Sequence, residues 1–137
     1  MKVRKATLTD KKQILILVRK FYGKSSPINV EGWKKKYKKL IKLTYVVEIN
    51  RKIIAYILPV NAKKSLYICD LYVLPRFRRK GIATKLLIYS EKLKKKLKKK
   101  HLIVTNRKRD RHAYKLYTKF GFRIKELKNK NSWIMIK

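Results

Sequence analysis

From Val73 to Leu87 the chain reads V-L-P-R-F-R-R-K-G-I-A-T-K-L-L, residue types and spacing that suit the binding of an anion. An apolar run ends at Val73, a short basic loop follows, and helical spacing begins after Gly81. The start of a helix carries unpaired N–H groups and the positive end of the macrodipole. A glycine lets the backbone come close to an anion. Ala83 keeps the first turn small, and Arg78, Arg79 and Lys80 add full charges. Together these features predict a pyrophosphate cradle. The G-x-x-x-x-G-K-[ST] spacing of a nucleoside triphosphate loop is absent, and so is G-x-G-x-x-G, so neither of those sites is expected.

The rest of the inventory excludes other chemistries. The lone Cys69 permits no intrachain disulfide framework and no Cys-rich zinc site. It reads as a small buried hydrophobe rather than a nucleophile. His101 and His112 lack ligand partners at useful spacing, so no metal site is expected. No Cys-His-Asn or Ser-His-Asp arrangement is evident.

The elements that must position these residues follow from periodicity and turn chemistry. Residues 2–7 alternate as a strand. Thr9 and Asp10 offer N-cap oxygens to a helix carrying Ile14, Leu17, Val18 and Phe21 at helical spacing. Gly23 to Asn29 reads as a loop, and residues 30–42 as a second helix with Trp33, Tyr37, Leu40 and Ile41 on one face. Residues 44–49 and 53–60 predict a hairpin around Asn50-Arg51-Lys52. A strand from Leu66 to Val73 precedes the basic loop. A helix runs from Ile82 to Lys100 with Ile82, Leu86, Ser90, Leu93 and Leu97 on one face. Leu102 to Thr105 is a short strand, and residues 111–120 are a helix with Ala113, Leu116, Tyr117 and Phe120 together. Phe122 to Leu127 and Ser132 to Ile136 predict a final hairpin. Hairpins around a strand–helix–strand unit imply a mixed α/β sheet flanked by about four helices. No linker or repeat divides the 137 residues, so a single domain spanning 1–137 is expected.

Charge sets the surface. Lys and Arg number 41 against 7 Asp and Glu, a formal net charge of +34. Such an excess favours contact with polyanions. Lys outnumbers Arg 31 to 10, which AT-rich codon usage also explains. The basic residues interleave with apolar ones along the chain, as on the solvated faces of a folded domain. Lys94 to Lys100 is a local concentration, and cations at a helix C-terminus complement its dipole. No stretch approaches the length of a membrane span, and residues 1–5 hold no apolar run of signal-peptide length. The expected location is cytoplasmic, with no membrane association.

Two motifs in order connect these observations to a family. Arg78-x-x-Gly81-x-Ala83, preceded by Val73-x-Pro75-x-Phe77, matches the pattern [RQ]-x-x-G-x-[GA]. Downstream lies Ala113-x-x-Leu116-Tyr117-x-x-x-Gly121-Phe122. In both motifs, and in element order over nearly the whole length, the chain resembles the GNAT superfamily of acetyl-CoA-dependent N-acetyltransferases. The resemblance implies a mostly antiparallel sheet with a V-shaped splay between two parallel strands, Leu66–Val73 and Leu102–Thr105, which hold acetyl-CoA. Backbone groups of Leu71, Tyr72 and Val73 are implied to pair with the pantetheine arm and to polarise the thioester carbonyl, stabilising the oxyanion that develops there. Backbone N–H groups of Arg79, Lys80, Gly81, Ile82, Ala83 and Thr84 are implied to hold the pyrophosphate, with the Arg78, Arg79 and Lys80 side chains adding charge-assisted contacts. Asp110 stands where the family often has an Asn that contacts CoA; a carboxylate accepts hydrogen bonds but cannot donate them.

Tyr117 matches the family tyrosine placed near the CoA sulfur, and a phenol can protonate the departing thiolate as general acid. Tyr114 is the weaker candidate. The attacking amine must lose a proton, and with so few acidic residues the first choice for the base is Asp70, beside the implied thioester site, and the second Glu48. Glu91 and Glu126 read as surface charges. Cys69 occupies the position where some polyamine-acetylating relatives have an acidic residue, which argues against a polyamine substrate. The implied acceptor is a primary amine of a protein N-terminus, a lysine or a small molecule. The expected state is a monomer or homodimer. The alternatives are a GNAT-fold basic protein that binds nucleic acid or the ribosome without catalysis, with contact through the basic surface, and an acyltransferase that uses a longer acyl-CoA.

Overall fold

A computed structural model describes residues 1–23 and 27–137. The strands are β1 (Lys2–Lys5), β2 (Tyr45–Ile49), β3 (Lys52–Asn61), β4 (Ser65–Val73), β5 (His101–Arg107), β6 (Arg123–Asn129) and β7 (Ser132–Ile136). They form one sheet in the order β1-β2-β3-β4-β5-β7-β6. Every neighbouring pair is antiparallel except β4 with β5. The helices are α1 (Lys11–Tyr22), α2 (Pro27–Lys35), α3 (Tyr37–Leu40), α4 (Ile82–Lys96) and α5 (Arg111–Phe120).

The apolar residues sort into two cores on opposite faces of the sheet. Ile14, Leu17 and Val18 of α1 and Trp33 of α2 pack on Val46, Tyr56 and Leu58. Leu86, Leu87 and Leu93 of α4 and Tyr117 of α5 pack on Ala55, Ile57, Leu66 and Val104. Central strand β3 is covered on both faces and is buried without a break from Ile53 to Pro59, so it is apolar throughout rather than alternating.

Pro59 shapes the site. A proline inside a sheet is tolerated at a bulge, because it cannot donate to the ladder. Here the β3–β4 register runs Leu58↔Asp70 and then Pro59↔Ile68, leaving Cys69 as the extra residue. The insertion reverses which side chains face which way. Leu66 and Ile68 belong to the α4-side core, whereas beyond the bulge Asp70 and Tyr72 face the α1–α2 side. Cys69, expected to be buried, is exposed as the bulged residue.

Other departures have local causes. The expected helix 30–42 is two helices broken at Lys36, and its first turn begins at Pro27, inside the expected loop; residues 24–26 of that loop lie outside the described residues. Two aromatic anchors on either side of the break bind different elements. Trp33 Nε1 donates to Asp70 of β4, and Tyr37 Oη donates to the Thr7 carbonyl. The split makes five helices among the described residues, against about four expected. Helix α4 stops at Lys96 rather than Lys100, closed by Lys98 at φ 57°. Asp10 precedes α1 as expected, but its carboxylate accepts from the Thr7 N–H and from the Arg4 guanidinium instead of capping the helix.

Candidate active site

Strands β4 and β5 begin side by side and then separate. Their pairing covers only Ser65↔His101, Leu66↔Leu102 and Tyr67↔Ile103. Beyond it β4 stays with β3 as far as Val73, and β5 stays with β7 as far as Arg107. The β4 edge from Ile68 to Val73 therefore has no strand on its β5 side, a wedge-shaped opening between two parallel strands. The bulge at Cys69 sits at its start. There Tyr67 Oη and Thr105 Oγ1 lie 2.5 Å apart, joining the strands through side chains.

The basic loop leads from the end of β4 to the start of α4. A 3₁₀ turn at Pro75–Phe77 is followed by Arg78, whose Nε donates to the Val73 carbonyl at 2.8 Å and whose guanidinium lies 5.3 Å from the Tyr72 ring centroid. Arg78 thus ties the loop to β4 and already engages the Val73 carbonyl. Arg79 and Gly81 both adopt positive φ, 61° and 79°. Such a left-handed backbone turns successive N–H groups toward one side. The first bond of α4 is Lys85 N–H to the Gly81 carbonyl. Among the described residues, no acceptor meets the N–H groups of Gly81, Ile82, Ala83 and Thr84. A Cβ at Gly81 would meet no atom within 4 Å, so conformation and open approach, rather than packing, call for glycine there. Four free donors at a helix start, with Arg79 and Lys80 exposed beside them, fit a pyrophosphate.

Tyr117 lies in the core on the α4 side of the sheet. It is 9% exposed and packs edge-on against Phe122 with ring centroids 5.5 Å apart. Among the described residues its hydroxyl has no hydrogen-bond partner, and burial, with Asp110 and Tyr67 adding, raises its pKa. Tyr114 instead packs on Trp133. Asp110 serves as the N-cap of α5, its Oδ1 accepting from Ala113 N–H at 3.0 Å, an ordinary capping role for aspartate.

Asp70 lies on the α1–α2 side of the wedge and is 0% exposed. Tyr22 Oη donates to its Oδ1, while Trp33 Nε1 and Tyr56 Oη donate to its Oδ2 at 2.9 and 2.8 Å. Burial raises its pKa, against the pull of the three donors. Glu48 is far from this group in the fold: it pairs with Arg4 at 2.8 Å, between β1 and β2. The sequence reading missed Tyr22, which sits at helical spacing from Val18 and so resembles a core residue. It also missed Asn106, buried on β5, whose Oδ1 accepts from Trp133 Nε1. A recess of about 560 Å³ lies at the paired end of β4 and β5, lined by Lys64, Ser65, His101 and Arg123 among others. The wedge itself is an open cleft.

A wedge between parallel strands, facing a donor-lined helix start, defines an acyl-CoA-binding architecture. Residues 41–124 match the family described as the acetyltransferase (GNAT) domain, and the chain belongs to that family. The PaiA N-acetyltransferase from Thermoplasma acidophilum, solved in complex with coenzyme A, superposes with a TM-score of 0.80 at 19% identity over 99% of this chain and 97% of that one. Ribosomal-protein-alanine N-acetyltransferase from Brucella melitensis gives 0.84 at 16% identity over 100% and 99%. Arabidopsis thaliana Naa50, in complex with the bisubstrate analogue CoA-Ac-MVNAL, gives 0.78 at 20% over 99% and 97%. The search of curated protein sequences found no match. The expected fold and acyl donor both hold: this is a GNAT acetyltransferase fold, and acetyl-CoA is its donor. No helix among the described residues is long and apolar enough to cross a membrane.

Proposed function

We propose that the chain transfers the acetyl group of acetyl-CoA to a primary amine by direct attack, with both substrates bound together. The observation that carries this reading is the parting of β4 and β5 beside four free N–H groups of the α4 start, with an unpartnered tyrosine hydroxyl at the side. Acetyl-CoA supplies an activated acyl thioester. The N–H groups from Arg79 to Thr84 hold its pyrophosphate, with charge from Arg79 and Lys80. The free edge at Leu71 and Tyr72 pairs with the pantetheine arm and places the acyl carbonyl against backbone donors. Tyr117 protonates the leaving sulfur, for which a hydroxyl with no competing acceptor is suited. Asp70 is the final holder of the proton that the amine loses. The acceptor is an α-amine, a lysine or a small amine. The basic surface favours acceptors with acidic neighbours and disfavours polyamines.

The test is acetyl transfer from acetyl-CoA to a peptide with a free α-amine, a peptide with only a lysine amine, and spermidine. Tyr117→Phe is expected to lower kcat by about 100-fold while acetyl-CoA affinity stays close to wild type. Loss of affinity together with rate, or an unchanged rate, removes Tyr117 from the acid role. Absence of transfer to all three acceptors, with salt-sensitive binding to RNA, would favour the non-catalytic polyanion reading instead.

A further inference from the structure

We propose that Tyr22, anchored by Asp70, is the group that takes the proton from the acceptor amine. This rests on the transfer reading above and names the proton's first stop. Asp70 cannot meet an acceptor itself. Its carboxylate is sealed, with one oxygen engaged by Tyr22 and the other by Trp33 and Tyr56. Trp33 and Tyr56 are 3% and 0% exposed, closed off in the core, whereas Tyr22 is only half-buried. The route from the carboxylate to a ligand in the cleft therefore runs through the Tyr22 oxygen. Because that hydroxyl gives its proton to Asp70, its lone pairs remain free to accept one from an N–H group.

The surroundings separate Asp70 from four of the other six carboxylates. Asp10, Glu31, Glu48 and Glu91 each pair with a lysine or arginine. Among the described residues, Asp70 is held by neutral donors alone. The groups that face it are Tyr22 from α1, Trp33 from α2 and Tyr56 from β3, with Cys69 beside it on β4. Lys128 of β6 acts on Cys69. A carboxylate without a cation keeps its capacity to take up a proton. Tyr67, at the parting of β4 and β5, lies near enough to raise the pKa of both Tyr22 and Tyr117. Tyr22 packs with the core on the α1–α2 face of the sheet and Tyr117 with the core on the α4 face, so the two stand on opposite faces.

A neutral amine nitrogen bonds to the acyl carbon. Its proton passes to Tyr22 Oη as the Tyr22 proton passes to Asp70. The carbon–sulfur bond breaks, and the sulfur takes the Tyr117 proton. Water then removes the proton from Asp70 through Tyr22 and returns one to Tyr117.

The experiment compares wild type, Tyr22→Phe, Asp70→Asn and the double variant, with the free α-amine peptide as acceptor. Tyr22→Phe is expected to reduce kcat by about 100-fold with the KM for acetyl-CoA unchanged. The double variant should lose no more than either single one, because the two act as a unit. In the acyl-CoA-free protein, infrared titration of the buried carboxyl should move to higher pH in Tyr22→Phe, since a donor that favours the charged form is gone. A structural role alone would lower the melting temperature without changing the pH profile of kcat. Tyr22→Phe within about twofold of wild type, or losses that add in the double variant, overturns the assignment. Should Asp70→Asn not fold, Tyr22→Phe decides the matter through its rate and titration. An inactive wild type would overturn the transfer reading itself, whereas an active wild type with an unaffected Tyr22→Phe overturns this assignment only.

Discussion

Tyr67 Oη and Thr105 Oγ1 meet at 2.5 Å, where the main-chain pairing of β4 and β5 ends. The bridge spans the strands where they part, so its loss should let them separate further. Tyr67→Phe removes it. The expected outcome is a loss of about 1 kcal/mol in urea denaturation and a raised KM for acetyl-CoA in steady-state kinetics. An unchanged KM would mean that the strands are held apart by their packing alone.

Gly81 separates two effects that glycine often combines. Its φ of 79° strains any other residue, yet a Cβ there meets no atom within 4 Å. Gly81→Ala should therefore cost about 1–2 kcal/mol through the backbone and weaken acetyl-CoA binding moderately. Gly81→Asp carries the same backbone strain and adds a carboxylate beside the free N–H groups, so it should abolish binding. Calorimetric titration at high salt checks this, since a chain with a net charge of +34 attracts any polyanion at low salt.

Two buried aspartates should give stability opposite pH dependences. Arg4 holds Asp10 below its ordinary pKa, so its contribution is present above the usual aspartate range and is lost as pH falls through the folded value. Burial holds Asp70 above its ordinary pKa, so the folded state binds its proton more tightly than the unfolded chain. Its contribution is complete at low pH and declines as pH rises through the folded value. Asp10→Asn should flatten the acid side of a stability-against-pH curve, and Asp70→Asn should flatten the decline on its neutral side. Urea denaturation across the pH range measures both. A neutral-side decline that persists in Asp70→Asn would assign it to another group.

Much of the cofactor side was legible because it is local. The loop from Val73 to Thr84 is one contiguous strand–turn–helix, and the direction of its backbone N–H groups follows from Gly81 and the helix start. The α5 motif is equally local. The α1–α2 side of the sheet was less legible. Residues 53–60 were legible as a strand, but the bulge opposite Pro59, a one-residue shift that exposes Cys69 and turns Asp70 toward α1, needs the register with β4. The helix break at Lys36 likewise follows from anchors to two other elements.

Sequence by itself determined the strands, the basic strand–turn–helix around Gly81 and the helix that carries Tyr117, because each depends on neighbours within a few positions, and it determined the net charge by composition alone. Only the tertiary structure decided what surrounds Asp70. Its partners Tyr56, Trp33 and Tyr22 stand 14, 37 and 48 residues away. A buried carboxylate needs its donors supplied, and which donors reach it depends on how α1, α2 and β3 pack around the bulge in β4.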